Sequence, residues 1–198
     1  MVQPCFRNMR KPMVTDARIV RSQEALLSAA LEKLHHSPDA TLSEIAQHAG
    51  VGRTTLYRLF PSRDALIRAL ALHCLGRMDA VTAPITQQAQ SALDAIRLLF
   101  QYVMPLTREF ALLMRVDQLL ADDPEVVAIH RKHHRELAEL IDYAKRQKEI
   151  SAALSTVWLV GLIEGLFHLG WSVQTEHGYS AEEAAEMAYT SFTQGAQR

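Results

Sequence analysis

Arg53, Thr54, Thr55, Tyr57 and Arg58 gather five hydrogen-bonding side chains within a few positions. A guanidinium offers paired donors that match guanine O6 and N7. A threonine hydroxyl bonds base edges, and its methyl group can touch that of thymine. Tyrosine and threonine hydroxyls also bond phosphate oxygens. Such chemistry needs a rigid element that presents these groups outward. The ordinary alternative is a solvated helix that happens to carry two arginines, so the flanking sequence has to decide.

The flanks supply that element. In Thr41 to Leu66, TLSEIAQHAGVGRTTLYRLFPSRDAL, Thr41 followed by Glu44 is a capping box that starts a helix. Leu42, Ile45, Ala46 and Ala49 make its apolar side. Gly50 provides the left-handed backbone that ends it. Leu56, Leu59 and Phe60 form the apolar side of the next short helix, and Ala46 is small where the two helices must cross. This is the pattern of a helix-turn-helix, whose second helix lies in the DNA major groove. Arg53, Thr54, Thr55 and Arg58 are the candidates for reading bases. Thr41, Tyr57 and Arg63 are the candidates for holding the DNA backbone, Arg63 because it starts the following helix beside exposed N–H groups.

The run from Ala49, AGVGRTTLYRLFPSRDAL, resembles the DNA-binding domain of TetR-type transcription regulators, most specifically in Thr55-Leu56-Tyr57 and Phe60-Pro61-Ser62. The resemblance extends from the first long helix to about Leu72. Gly52 stands where that family usually has Ser, Leu59 where it has His or Tyr, and Arg63 where it has Lys. Gly52 removes a capping hydroxyl, whereas Arg63 keeps the positive charge. The resemblance implies a connecting helix between a DNA-binding and a regulatory domain. It also implies a pair of C-terminal helices that forms a four-helix dimer interface.

Charge follows the same division. Residues 1–78 hold eleven Lys and Arg against six Asp and Glu, and residues 79–198 hold ten against sixteen. The basic part coincides with the helix-turn-helix, as phosphate neutralisation requires. Cys5 and Cys74 cannot build a disulfide framework. Residues 1–15 read as a flexible basic arm in which Arg7, Arg10 and Lys11, with Arg18 just beyond, are placed to reach phosphate or a minor groove. The arm has no apolar core of the secretory kind. The chain is expected in the cytoplasm, with no membrane association.

The expected fold is all-α: a DNA-binding domain over 16–80 and a helical effector-binding and dimerisation domain over 81–198, with Ala83-Pro84 at the boundary. Asp16 to His36 reads as an amphipathic helix, closed by Ser37-Pro38-Asp39. Ser62 is read as the cap of the connecting helix. Ser91 with Asp94, Asp123 before Pro124, and Ser180 with Glu183 are helix-start signals. Ile150 to Gln174 is the most apolar stretch. Glu164 and His168 interrupt it, so it reads as a helix buried on several faces rather than a membrane span. Gly161 and Gly165 share a face that lets another helix come close, and with Phe192 they are the expected dimer contacts. A two-fold dimer would read two halves of a near-palindromic double-stranded DNA site.

Phe100, Met104, Phe110, Met114, Trp158, Phe167 and Trp171 are candidates to line an apolar effector cavity, with His168 or Glu164 to orient the ligand. A buried Glu164 would need a partner. His130, His133 and His134 have spacing that suits a metal, but Arg131, Lys132 and Arg135 repel a cation there. Neither a phosphate-binding glycine loop nor a nucleophile elbow occurs. The expectation is therefore a dimeric, effector-controlled DNA-binding repressor without catalytic residues, metal or cofactor. The alternatives are a metal protein or enzyme built on the 130–134 histidines, and a DNA-bound adaptor with no effector.

Overall fold

The computed structural model describes the backbone of residues 14–196 and side chains from residue 23 on. Residues 1–13 of the basic arm and the Arg18 side chain lie outside that range, whereas Val14 and Thr15, expected in the arm, already belong to the first helix. The described residues fold as helices and turns, divided into two compact units between Arg63 and Asp64.

The first unit holds α1 (Val14–His36), α2 (Leu42–His48) and α3 (Arg53–Leu59). In α1, Leu26, Leu27, Ala30, Leu31 and Leu34 are buried, at the three- and four-residue spacing of one helical face. The capping box at the start of α2 is complete. Thr41 Oγ1 accepts from the Glu44 N–H (3.3 Å), and the Glu44 carboxylate accepts from the Thr41 N–H (2.7 Å). Those bonds hold the Glu44 carboxyl below its ordinary range, chiefly through the Thr41 backbone. Ile45 and Ala46 are buried. Gly50 turns the chain at φ +64°, a left-handed backbone where any other residue would be strained.

The second unit begins inside α4 (Arg63–Thr82) and continues through α5 (Ile85–Gln88), α6 (Ala92–Val103), α7 (Thr107–Val116), α8 (Pro124–Arg146), α9 (Thr156–His177) and α10 (Ala181–Ala196). The sequence signals for α6, α8 and α10 are visible as bonds. Ser91 Oγ accepts from the Asp94 N–H, Asp123 from the Glu125 and Val126 N–H groups, and Ser180 from the Glu183 N–H. The apolar stretch that reads as starting at Ile150 becomes helical only at Thr156, where Ser155 Oγ accepts from the Trp158 N–H (3.2 Å).

One core joins α6, α8, α9 and α10 through Ile96, Phe100, Ile141, Leu159, Ile163, Phe167, Ala188 and Phe192. Met104 closes it from the end of α6. Its Sδ and Cε occupy the space a Cβ on Gly170 would need, at 2.6 and 2.4 Å from that position. Phe192 is fully buried in this core. It packs within its own chain and is not available as the dimer contact expected from sequence.

The reading of α9 as buried on several faces is also corrected. Val157 (74% exposed), Trp158 (65%) and Leu169 (56%) look outward, together with Gly161, Glu164, Gly165 and His168. Glu164 is an exposed carboxylate and needs no buried partner. Thr156–His177 has the length and mean hydropathy (1.3) of a bilayer-crossing segment, with 33% of that apolar window buried, and it carries Glu164 near its middle.

Candidate nucleic-acid interface and effector region

α3 is seven residues long, and only Leu56 within it is buried. Arg53, Thr54, Tyr57 and Arg58 are exposed, and Thr55 is half-buried. One anchoring leucine thus leaves nearly all the candidate base-reading side chains facing outward, as the spacing predicts. The entry to α3 is less well fixed. Gly52 sits at the N-cap with extended backbone and gives no side-chain bond to the first turn. Thr41 is exposed, but its hydroxyl already serves the α2 cap.

Arg63 has a role that sequence reasoning missed. Its guanidinium donates to the backbone carbonyls of Ala40 and Pro38, the latter at 2.6 Å. It therefore ties the start of α4 to the turn between α1 and α2. Two of its donors are spent on satisfying carbonyls left open by that turn. The phosphate-contact reading has only the remaining donors to work with.

The eight side chains expected to line an effector site do not come together. Phe100, Met104 and Phe167 are buried in the core, with ring centroids of Phe100 and Phe167 5.0 Å apart. Phe110 stacks against that group at 5.9 Å from Phe167. Met114 and Trp158 are exposed. His168 lies on the outer side of α9, 6.0 Å from the Trp171 ring. The Trp171 indole N–H is buried and has no hydrogen-bond partner among the described residues.

A cavity of about 280 Å³ instead lies where α4, α7 and the start of α8 meet. Ala71, Leu113, Val116, Leu120, Val126 and Val127 supply apolar walls, and Asp117, His130 and Arg131 add polar groups. None of the eight expected residues lines it. Sequence periodicity points to apolar faces and cannot say which three helices leave a gap between them.

Charged side chains frame the same helices. Arg68 donates through Nε to Asp123 Oδ2 (2.6 Å) and through Nη2 to Glu125 Oε2 (2.8 Å). Asp79 Oδ1 accepts from Lys132 Nζ (3.1 Å) and His133 Nε2 (2.7 Å). Arg77 pairs with Glu109, a carboxylate that is only 3% exposed. The Arg68 guanidinium is the main cause that holds the Asp123 carboxyl below its ordinary range. At Asp79 burial pushes upward, but the bonds from His133 and Lys132 outweigh it and the net shift is downward. Burial, with Glu109 nearby, pushes the Cys74 thiol up to about 12. The histidine cluster is thus partly committed: His133 bonds a carboxylate it shares with Lys132. The described residues hold no group of three or more His, Cys, Asp or Glu placed to bind a metal ion.

A short outward helix carrying two arginines, set after a capped helix and a glycine turn, defines a helix-turn-helix DNA-binding protein. Comparison with known proteins narrows the class. Residues 26–70 match the family described as bacterial regulatory proteins, tetR family. The HTH-type transcriptional repressor LfrR of Mycolicibacterium smegmatis is 27% identical over 199 residues, covering 94% of this chain and 96% of that protein. The HTH-type transcriptional regulator NfxB of Pseudomonas aeruginosa is 26% identical over 155 residues, covering 75% and 82%. The crystal structure of the TetR-like regulator LfrR from Mycobacterium smegmatis in complex with proflavine superposes with a TM-score of 0.75 at 25% identity, covering 92% of this chain and 99% of that one. Residues 26–70 thus match the tetR-family DNA-binding region, and over nearly its whole length the chain is similar to TetR-type transcription regulators. The relatives it matches are regulators, not enzymes.

Proposed function

We propose that this protein is a homodimeric repressor that binds a near-palindromic double-stranded operator and leaves it when a small apolar or amphipathic effector occupies the second unit. The observation that carries the reading is α3 itself: Arg53, Thr54, Tyr57 and Arg58 exposed around the single buried anchor Leu56. The base-reading roles of Arg53, Thr54, Thr55 and Arg58 and the backbone roles of Thr41, Tyr57 and Arg63 belong to this proposal.

The outward side of α9 supports the dimer. Gly161 and Gly165 lie one turn apart, and a Cβ added at either meets nothing within 4 Å in its own chain. Val157, Trp158 and Leu169 surround them with apolar surface. A second α9 could come close there and cover that surface, which water otherwise disfavours. The effector reading draws on the cavity beside Ala71 and on the relative that is described in complex with proflavine, a planar aromatic cation. A regulator of this kind works in the cytoplasm and needs no cofactor.

The test is a binding titration with duplex DNA from beside the protein's own gene. Specific, salt-dependent binding by a dimer is expected. Equal affinity for that DNA and for scrambled DNA sinks the proposal. Proflavine added to the complex is the first effector probe.

A further inference from the structure

α4 and α8 meet at two charged clamps with a cavity between them. Arg68 holds Asp123 and Glu125 at one end, and Asp79 holds Lys132 and His133 at the other. Ala71 of α4 and Val126, Val127, His130 and Arg131 of α8 line the space between. Partner positions advance together along both helices, so the two run in the same direction. Eleven residues at about 100° each bring Arg68 and Asp79 to within about 20° on α4, whereas Arg77 lies about 180° from Arg68. Arg77 accordingly turns to α7, where it meets Glu109.

The cavity, about 280 Å³, is at the small end of the roughly 300–1,000 Å³ usual for ligand sites. A ligand larger than this space presses on its walls, α4 and α8 among them. Both clamps resist, because charge-assisted bonds weaken steeply once stretched or bent. Asp123 makes the resistance local to α8, since the same carboxylate caps that helix through the Glu125 and Val126 N–H groups.

We propose that the two α4–α8 clamps, Arg68 with Asp123 and Glu125 and Asp79 with Lys132 and His133, hold α4 in its DNA-binding position and set the effector concentration needed to move it. Arg68 and Asp79 are positioning residues. They act through the placement of α4, which is one continuous helix from Arg63 and so carries its displacement along the chain to the helix-turn-helix. This rests on the reading of the chain as an effector-controlled DNA-binding protein. Two conformations in equilibrium respond to anything that stabilises one of them, so losing a clamp weakens DNA binding and favours effector binding.

The experiment compares full-length wild type with R68Q, D79N and the double variant on the same operator DNA, without effector, across a range of salt. Each single variant is expected to bind about two- to fivefold more weakly, and the double variant about tenfold, as exposed ion pairs allow. The slope of affinity against salt should not change, because no phosphate contact is lost. R68K and D79E should bind as the wild type does, and all variants should keep the wild-type unfolding midpoint within a few degrees. A double variant with wild-type affinity overturns the proposal. So does a salt slope reduced by about one, which would mean that Arg68 touches DNA. Loss of affinity matched by loss of folding, without recovery in R68K or D79E, also overturns it. Wild-type protein that binds no specific DNA overturns the regulator reading instead, and the two failures are thereby told apart.

Discussion

α3 and α9 expose side chains of contrasting chemistry. α3 buries one leucine and shows water arginines, threonines and a tyrosine that is 47% exposed. α9 buries Leu159, Val160, Ile163, Leu166 and Phe167 and shows water a valine, a tryptophan, a leucine and two glycines, with Glu164 and His168 among them. Polar groups on α3 keep their hydrogen bonds with water until a partner offers equally good ones, so that face suits a ligand with fixed donors and acceptors. The apolar face of α9 gains by being covered, and its glycines let a second backbone approach. On the proposed reading, one helix discriminates and the other associates.

The largest effect should come from breaking the associating side. Gly165 is exposed and a Cβ added there meets nothing within 4 Å in its own chain, so Gly165→Trp should leave the fold intact while a second α9 is kept away. Sedimentation should show a monomer, and operator affinity should fall by at least about 100-fold because one half-site no longer helps the other. A dimer that persists with full affinity would mean that α9 does not associate as argued. On the discriminating side, Arg53→Ala should cost about 1–3 kcal/mol of binding and relax preference at one base position, read from a panel of mutated operators.

Arg63 sharpens the contrast from within the first unit. If its bonds to Ala40 and Pro38 are its main work, Arg63→Ala should lower stability by about 1–2 kcal/mol in chemical denaturation. The salt slope of DNA binding should stay constant. A reduced slope with unchanged stability would restore the phosphate-contact reading.

Acid should affect both units in the same sense. Glu44 in the first unit and Asp79 and Asp123 in the second have folded-state carboxyls held below their ordinary values. Their contribution is present above the ordinary carboxylate range and is lost as pH falls through the depressed folded values. Unfolding midpoints should therefore be flat near neutrality and drop in acid, and D79N/D123N should drop less. The smallest effect is expected at the entry to α3. Gly52→Ser adds a capping oxygen where none exists and should stabilise by a few tenths of a kcal/mol.

Local signals were legible in the sequence. Thr41 with Glu44, Asp123 before Pro124, and Ser180 with Glu183 are short-range patterns, and each appears as the expected bonds. The outward set on α3 was legible for the same reason, since an amphipathic helix announces its own orientation. α9 does not. Only Glu164 and His168 break its apolar pattern near the middle, too few to orient it against so many apolar neighbours, and its outer face emerges from packing. Phe192 illustrates the converse, an aromatic suited equally to a core or an interface until its neighbours are known. Arg63 with Pro38 and Arg68 with Asp123 join residues 25 and 55 positions apart, and no periodicity encodes such pairs.

Gly170 and Met104 behave as a single volume divided between two positions. A methyl group added at 170 would lie where the Met104 thioether now sits. Gly170→Ala alone should therefore force the flexible end of Met104 to turn aside, at modest cost, and should be accepted more readily with a shorter residue at 104. In a library randomised at both positions, survivors should show covariation, with side-chain size traded one for the other.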